Sequence, residues 1–190
     1  MFTPLLDHIQ KFITLEPSEI DILESCLGAT KVKKKEHLLQ EGQVCNTLYF
    51  MLKGCMRQYI INSKGSEQTL QFAIENWWIT DYSSYTSGRP SKFYIQALER
   101  SEVLYISRSE QETLFEKIPA LEGYFRKNLE RAYAASLTRI EYLFLLSGEE
   151  RYLQFVGTYP EFAQRIPQYI LASFLGISPE YVSEVRKKLG

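Results

Sequence analysis

Ile166-Pro-Gln-Tyr-Ile-Leu-Ala-Ser-Phe-Leu-Gly-Ile-Ser-Pro-Glu-Tyr-Val-Ser-Glu-Val-Arg-Lys-Lys-Leu-Gly190 reads as two short amphipathic helices joined by a tight turn. In the first, Ile170, Leu171, Phe174 and Leu175 recur at helical spacing, with Ala172 as a small contact. Gly176 then ends the helix, because glycine takes a positive φ without a Cβ penalty. Ile177 is an apolar plug in the turn. Ser178, Pro179 and Glu180 stack three start signals: an N-cap hydroxyl, a proline at the first helical position, and an acid near the positive end of the helix dipole. Val182, Val185 and Leu189 give the second helix one buried face. Glu180, Tyr181, Glu184, Lys187 and Lys188 occupy the other. This is the helix-turn-helix pattern, whose second helix enters the DNA major groove. The same pattern also fits an ordinary helical hairpin.

Upstream, the helical period runs from about Ala120 to Leu146. One stripe, Phe125, Leu129, Ala132, Ser136, Arg139, Leu143 and Leu146, follows a 4-3 alternation interrupted at Ser136 and Arg139. A neighbouring stripe holds Tyr133, Leu137, Ile140 and Phe144. Two stripes predict one face against the chain's own domain and one against a partner helix, because such a length is excessive for one small domain, although the interrupted stripe also fits a helix buried only on its own domain. The expected dimer contacts are Phe125, Leu129, Ala132, Ser136 and Leu143. Ser147-Gly148 reads as a hinge.

Between Thr30 and Ile106 the period shortens to two. Thr47–Lys53, Cys55–Ile61, Glu67–Ile74, Phe93–Leu98 and Val103–Ile106 read as strands. The turn Asn62-Ser-Lys-Gly65 makes a hairpin of the second and third. Many short strands with regular turns predict an antiparallel barrel or sandwich. Leu5, Leu6, Ile9, Phe12 and Ile13 share one face of an N-terminal helix, and Pro17-Ser-Glu19 opens a second. Ser109-x-x-Glu112 is a capping-box signature for a helix that stops before Pro119.

Composition narrows the function classes. A net charge of −1 gives no global attraction for nucleic acid, and from Ser147 onward five acids balance five bases. Any DNA binding must therefore rest on local charge such as Arg186-Lys187-Lys188. The cysteines, Cys26, Cys45 and Cys55, have neither disulfide-framework nor metal spacing, which predicts reduced thiols in a cytoplasmic protein. His8 and His37 read as surface residues. The N-terminus has no signal-peptide pattern, and no apolar run approaches a membrane span. No paired-carboxylate motif, phosphate loop, nucleophile elbow or metal spacing points to an enzyme.

Four segments, Leu38-Leu-Gln-Glu-Gly42, Leu48-Tyr-Phe-Met-Leu-Lys-Gly54, Gln96-Ala-Leu-Glu-Arg-Ser-Glu-Val103 and Leu171-Ala-Ser-Phe-Leu-Gly-Ile-Ser-Pro-Glu180, occur in the order found in the Crp/Fnr superfamily. Nearly the whole chain resembles that family. The resemblance implies an α+β protein. Its parts would be an antiparallel, jelly-roll-like β-roll of the cyclic-nucleotide-binding type with flanking helices over residues 1–118, a long dimerisation helix over 119–146, and a winged-helix-like helix-turn-helix domain over 147–190. It further implies a homodimeric, cytoplasmic transcription regulator that takes double-stranded DNA and RNA polymerase as partners. An unknown small-molecule effector, or none, would occupy the roll, with no metal and no cofactor.

Cyclic-nucleotide binders of the family begin their phosphate cassette with Gly-Glu and end it with an Arg followed by a small residue. Counted back from Ala97, those positions fall on Thr80 and Asp81, and on Ser91 and Lys92. Asp81 is a methylene short, and Ser91 cannot replace the forked, always-charged guanidinium that a desolvated phosphate wants. No response to cyclic AMP is therefore expected. Arg89 and Lys92 fit another anion or, by default, solvated loop charges. Trp77, Trp78, Tyr82 and Tyr85 fit either a pocket lining or core, with core as the default.

In the reading helix the family places Glu and, four residues later, Arg. Glu180 matches and fits either a cytosine N4 acceptor or a helix cap; Glu184 stands where the Arg belongs and cannot donate to guanine. Tyr181, Ser183 and Arg186 remain as base or phosphate contacts, Lys187 and Lys188 as charge, Gln168 and Tyr169 as backbone contacts, and Ser178 and Pro179 as the turn. Glu184, the neutral segment and the chain end at Gly190 also fit a sensor or interaction module without specific DNA binding.

Overall fold

In the computed structural model, residues 1–189 are described, the Leu189 side chain excepted, so the core role expected of that side chain lies outside the described residues. The chain opens with helices α1 (Thr3–Gln10) and α2 (Pro17–Ser25). Eight strands follow: β1 (Gly28–Val32), β2 (His37–Leu39), β3 (Thr47–Lys53), β4 (Met56–Ile61), β5 (Glu67–Ala73), β6 (Trp78–Ile79), β7 (Tyr94–Ala97) and β8 (Ser101–Ser107). A short helix, α3 (Tyr82–Ser87), interrupts them between β6 and β7. Helices α4 (Arg108–Lys117), α5 (Ala120–Leu145), α6 (Gly148–Thr158), α7 (Pro160–Arg165), α8 (Gln168–Leu175) and α9 (Pro179–Leu189) complete the described chain.

The strands form two four-stranded sheets, ordered β1-β8-β3-β6 and β2-β7-β4-β5. β3 and β8 pair antiparallel from Thr47 opposite Ser107 to Met51 opposite Val103, and the register shifts before Lys53 meets Glu102. The period-two alternation of β3 and β8 then explains the core. Leu48, Phe50, Leu104 and Ile106 meet Leu5 and Ile9 of α1, Leu23 of α2, Leu114 of α4, and Leu121 and Tyr124 of α5. Met51 and Val103, from the other face, join Met56, Ala73, Ile95 and Ala97 of the second sheet. The β4–β5 turn is the expected one: Asn62 accepts Lys64 and Ser66 N–H groups at 2.9 and 3.1 Å, and Gly65 takes φ 75°.

Some local expectations are corrected. The box capping α4 is Ser107 with Glu110, not Ser109 with Glu112, because Ser107 ends β8 and Arg108 is already helical. Gly148 is not a free hinge residue: Ser147 caps α6 in a capping box with Glu150, and Gly148 is its first residue. His8 is not a surface residue. Its Nδ1 lies 2.8 Å from the Tyr124 hydroxyl, which also accepts the Trp78 indole N–H at 2.8 Å, and its ring packs against Phe12 and Phe50. His37 is half-buried against the Tyr94 ring. Trp78 and Tyr85 are packed, as the core reading expects, while Trp77 and Tyr82 are exposed. No strand occurs among the described residues beyond β8, so wing strands are absent from them.

The chain divides into two compact units. The first, Met1–Gln58 with Phe72–Glu130, holds both cores described above. The second joins Tyr59–Gln71 to the chain from Arg131 onward. Its interior is Tyr152, Phe155, Phe162, Ile166, Ile170, Leu171, Leu175, Val182 and Val185.

Candidate nucleic-acid interface and effector segment

The turn between α8 and α9 is built as its residues dictate. Gly176 caps α8 at φ 68° in the left-handed region, and its N–H reaches the Ala172 carbonyl. Ile177 N–H donates to the same carbonyl at 3.1 Å. Ser178 Oγ accepts the Tyr181 N–H at 3.1 Å, so its hydroxyl is a helix cap and Pro179 follows at the first helical position. Val182 and Val185 are both 0% exposed, which fixes the inner face of α9.

Two contacts seat the helix pair. Gln168 Nε2 donates to the Pro179 carbonyl at 3.0 Å and to Ser183 Oγ at 2.5 Å, tying the start of α8 to the first turns of α9. Gly148 lies so close to α9 that a Cβ there would stand 2.7 Å from Ile177 Cγ2 and 2.8 Å from Tyr181 Cε1. Gln168, Ser183 and Tyr181, expected at DNA, are thus partly engaged within the unit. Tyr169 is well exposed. Glu180, Glu184, Arg186, Lys187 and Lys188 are exposed on α9, and Lys188 pairs with Glu149 of α6 at 3.6 Å. Glu180 in the first turn and the bases in the last also suit the dipole of α9 itself.

Sequence reasoning missed Arg139. On the sequence it interrupts an apolar stripe; in the structure one Nη donates to the Thr69 carbonyl at 3.3 Å and the Phe174 carbonyl at 2.8 Å. Its guanidinium lies 4.4 Å from the Phe174 ring centroid, and burial lowers its pKa from the ordinary value. Ser173 of α8 joins the cluster through Thr69 Oγ1 at 2.8 Å, and Gln68 donates to the Ser173 carbonyl. A charged residue inside an apolar period was the available signal.

The expected dimer residues divide. Phe125 is packed inside the first unit against Trp78, Phe115 and Tyr124, and Leu143 is half-buried next to Gly176. Ala132 and Ser136 are exposed. The continuous uncovered stripe is Leu129, Tyr133, Leu137, Ile140 and Phe144, between 45% and 84% exposed and spaced 4, 4, 3 and 4.

In the effector segment, Thr80, Asp81 and Ser91 are buried in local structure. Thr80 Oγ1 donates to the Thr47 carbonyl at 2.9 Å and lies 3.1 Å from Cys45 Sγ. Asp81 N-caps α3, accepting the Ser83 N–H at 3.0 Å. Ser91 Oγ accepts the Phe93 N–H at 2.9 Å. Arg89 and Lys92 are exposed.

Comparison with known proteins places this architecture. Residues 29–117, from β1 through α4, match the cyclic nucleotide-binding domain family. The fumarate and nitrate reduction regulatory protein of Vibrio cholerae is 25% identical over 184 residues, covering 90% of this chain and 73% of that protein. Along nearly its whole length the chain is similar to Crp/Fnr-type transcription regulators. Among solved structures, the c-di-GMP responsive global regulator CLP of Xanthomonas campestris superimposes with TM-score 0.76 at 15% identity, covering 92% of this chain and 91% of that one. A Crp/Fnr family regulator from Eubacterium rectale gives 0.72 at 16% identity, over 92% and 83%. Those likenesses extend the shared fold across β-roll, long helix and C-terminal helices. Among the described residues, no helix is long and apolar enough to cross a membrane.

Proposed function

We propose that this chain is a Crp/Fnr-type transcription regulator that binds duplex DNA sequence-specifically as a homodimer and does not answer to cyclic AMP. The observation that carries the DNA reading is the intact scaffold around α9: a left-handed Gly176, a capping Ser178, and a helix buried on Val182 and Val185 with a polar outer face. Net charge does not carry it, so affinity rests on Arg186, Lys187 and Lys188 and on backbone N–H groups.

The uncovered Leu129–Phe144 stripe supports the dimer. Five large apolar side chains along one face of a helix of 26 residues, about 39 Å long at 1.5 Å per residue, stay wet unless another surface covers them. A second copy related by a two-fold axis presents the same stripe and sets two recognition helices in successive major grooves.

The refusal of cyclic AMP rests on what the cassette positions already do. Asp81 caps α3, and Ser91 holds the Phe93 N–H, so neither supplies the ribose or phosphate contact. Sedimentation velocity tests the dimer: a dimer at micromolar concentration is expected, and a monomer at high micromolar concentration refutes it. Calorimetry with cyclic AMP should give no heat of binding; micromolar affinity refutes that part.

A further inference from the structure

The outermost line of α9, directly opposite Val182 and Val185, is Glu180, Ser183, Glu184 and Lys187, at i, i+3, i+4 and i+7. Ser183 is occupied by Gln168. Glu180 and Glu184 are exposed and, among the described residues, have no hydrogen-bond or ion-pair partner, while Lys188 is held by Glu149. In a groove-bound recognition helix the N-terminal residues face base edges. Glu180 and Glu184 are in the first two turns, with Cβ atoms about 5–6 Å apart; Lys187 and Arg186 come later, where phosphates are met.

Ionised carboxylates accept hydrogen bonds and donate none. In the major groove only cytosine N4 and adenine N6 donate. Guanine presents the acceptors N7 and O6, and thymine presents O4 and a methyl, so both oppose a carboxylate. Adenine sets its N7 acceptor beside the N6 donor, which repels the second carboxylate oxygen. Cytosine has only a C–H beside N4. Resting on the DNA reading above, we propose that Glu184 is a specificity-determining residue that selects cytosine. Its carboxylate accepts an N4 hydrogen in each half-site, next to the base pair under Glu180.

Selection of binding sites from a randomised duplex library by the full chain, run in parallel with E184Q and E184R, tests this. Both variants change an exposed side chain, and matching thermal unfolding curves establish that they are folded. The wild-type chain should select cytosine at one position of each half-site, and replacing that base should weaken binding about tenfold or more. E184Q should move the choice at that position to adenine, through its N6 and N7, and E184R to guanine, with the other positions unchanged. Wild-type selection of a defined site whose base choice is the same in both variants overturns the assignment while leaving the DNA reading intact. Selection of no site by the wild-type chain overturns both.

Discussion

At the scale of single residues, seating of α9 depends on groups that look unremarkable in sequence. Gly148→Ala would place a methyl within 2.8 Å of both Ile177 and Tyr181. Such overpacking costs about 1–3 kcal/mol, so a lowered Tm and weakened DNA binding are expected together; an unchanged Tm contradicts the contact. Arg139→Ala removes a donor shared by the Thr69 and Phe174 carbonyls and the stacking on Phe174. A loss of about 1–3 kcal/mol in denaturant unfolding is expected. Arg139→Lys should recover only part of it, since an ammonium has neither the planar fork nor the stacking face. Gly176 and Ser178 were legible in sequence because their roles are local, set by φ and by an N–H three residues away. Arg139 and His8 were not, because their partners lie 35 and 116 residues off along the chain.

Among elements, helix starts were half legible. Two overlapping Ser-x-x-Glu registers precede α4, and which one caps it depends on where β8 ends, a matter of sheet pairing with β3 at Thr47 and Ser107. The capping carboxylates Glu110 and Glu150 are each held below the ordinary glutamate value by the hydroxyl and N–H of their N-cap serines, Ser107 and Ser147. A depressed carboxylate stabilises the fold above its unfolded pKa, and that contribution fades as pH falls through the lowered native value. Stability should therefore drop on acidification below about pH 4.3, and E110Q/E150Q should flatten that part of the pH profile; an unaltered profile contradicts the caps as its source. The sandwich itself was readable from alternation in Thr47–Lys53 and Val103–Ile106. The uncovered stripe of α5 was readable only as one of two candidates. Periodicity shows that two faces are apolar, whereas choosing between them needs the packing of Phe125 on Trp78 and Phe115.

Taken as a whole molecule, the Crp/Fnr architecture is carried by patterns spread over the full chain, which is why the family was legible while the site chemistry was less so. Asp81 and Ser91 could be counted from Ala97, and their contacts with Ser83 and Phe93 are local, whereas Thr80 meets Cys45 and Thr47, 35 and 33 residues away along the chain. The assembled regulator should be a dimer held by the Leu129–Phe144 stripe. Leu137→Glu places a charge at its centre and should yield monomers in sedimentation with little change in Tm, because Leu137 is 47% exposed within its own chain; a persistent dimer places the interface elsewhere. The central claim is specific DNA recognition by two copies of α9. Titration of the selected duplex at two salt concentrations, against a scrambled duplex, tests it most directly. Two chains per duplex, affinity falling steeply with salt, and at least about a thousandfold preference for the selected site are predicted; no binding even at low salt, or equal affinity for both duplexes, would contradict it.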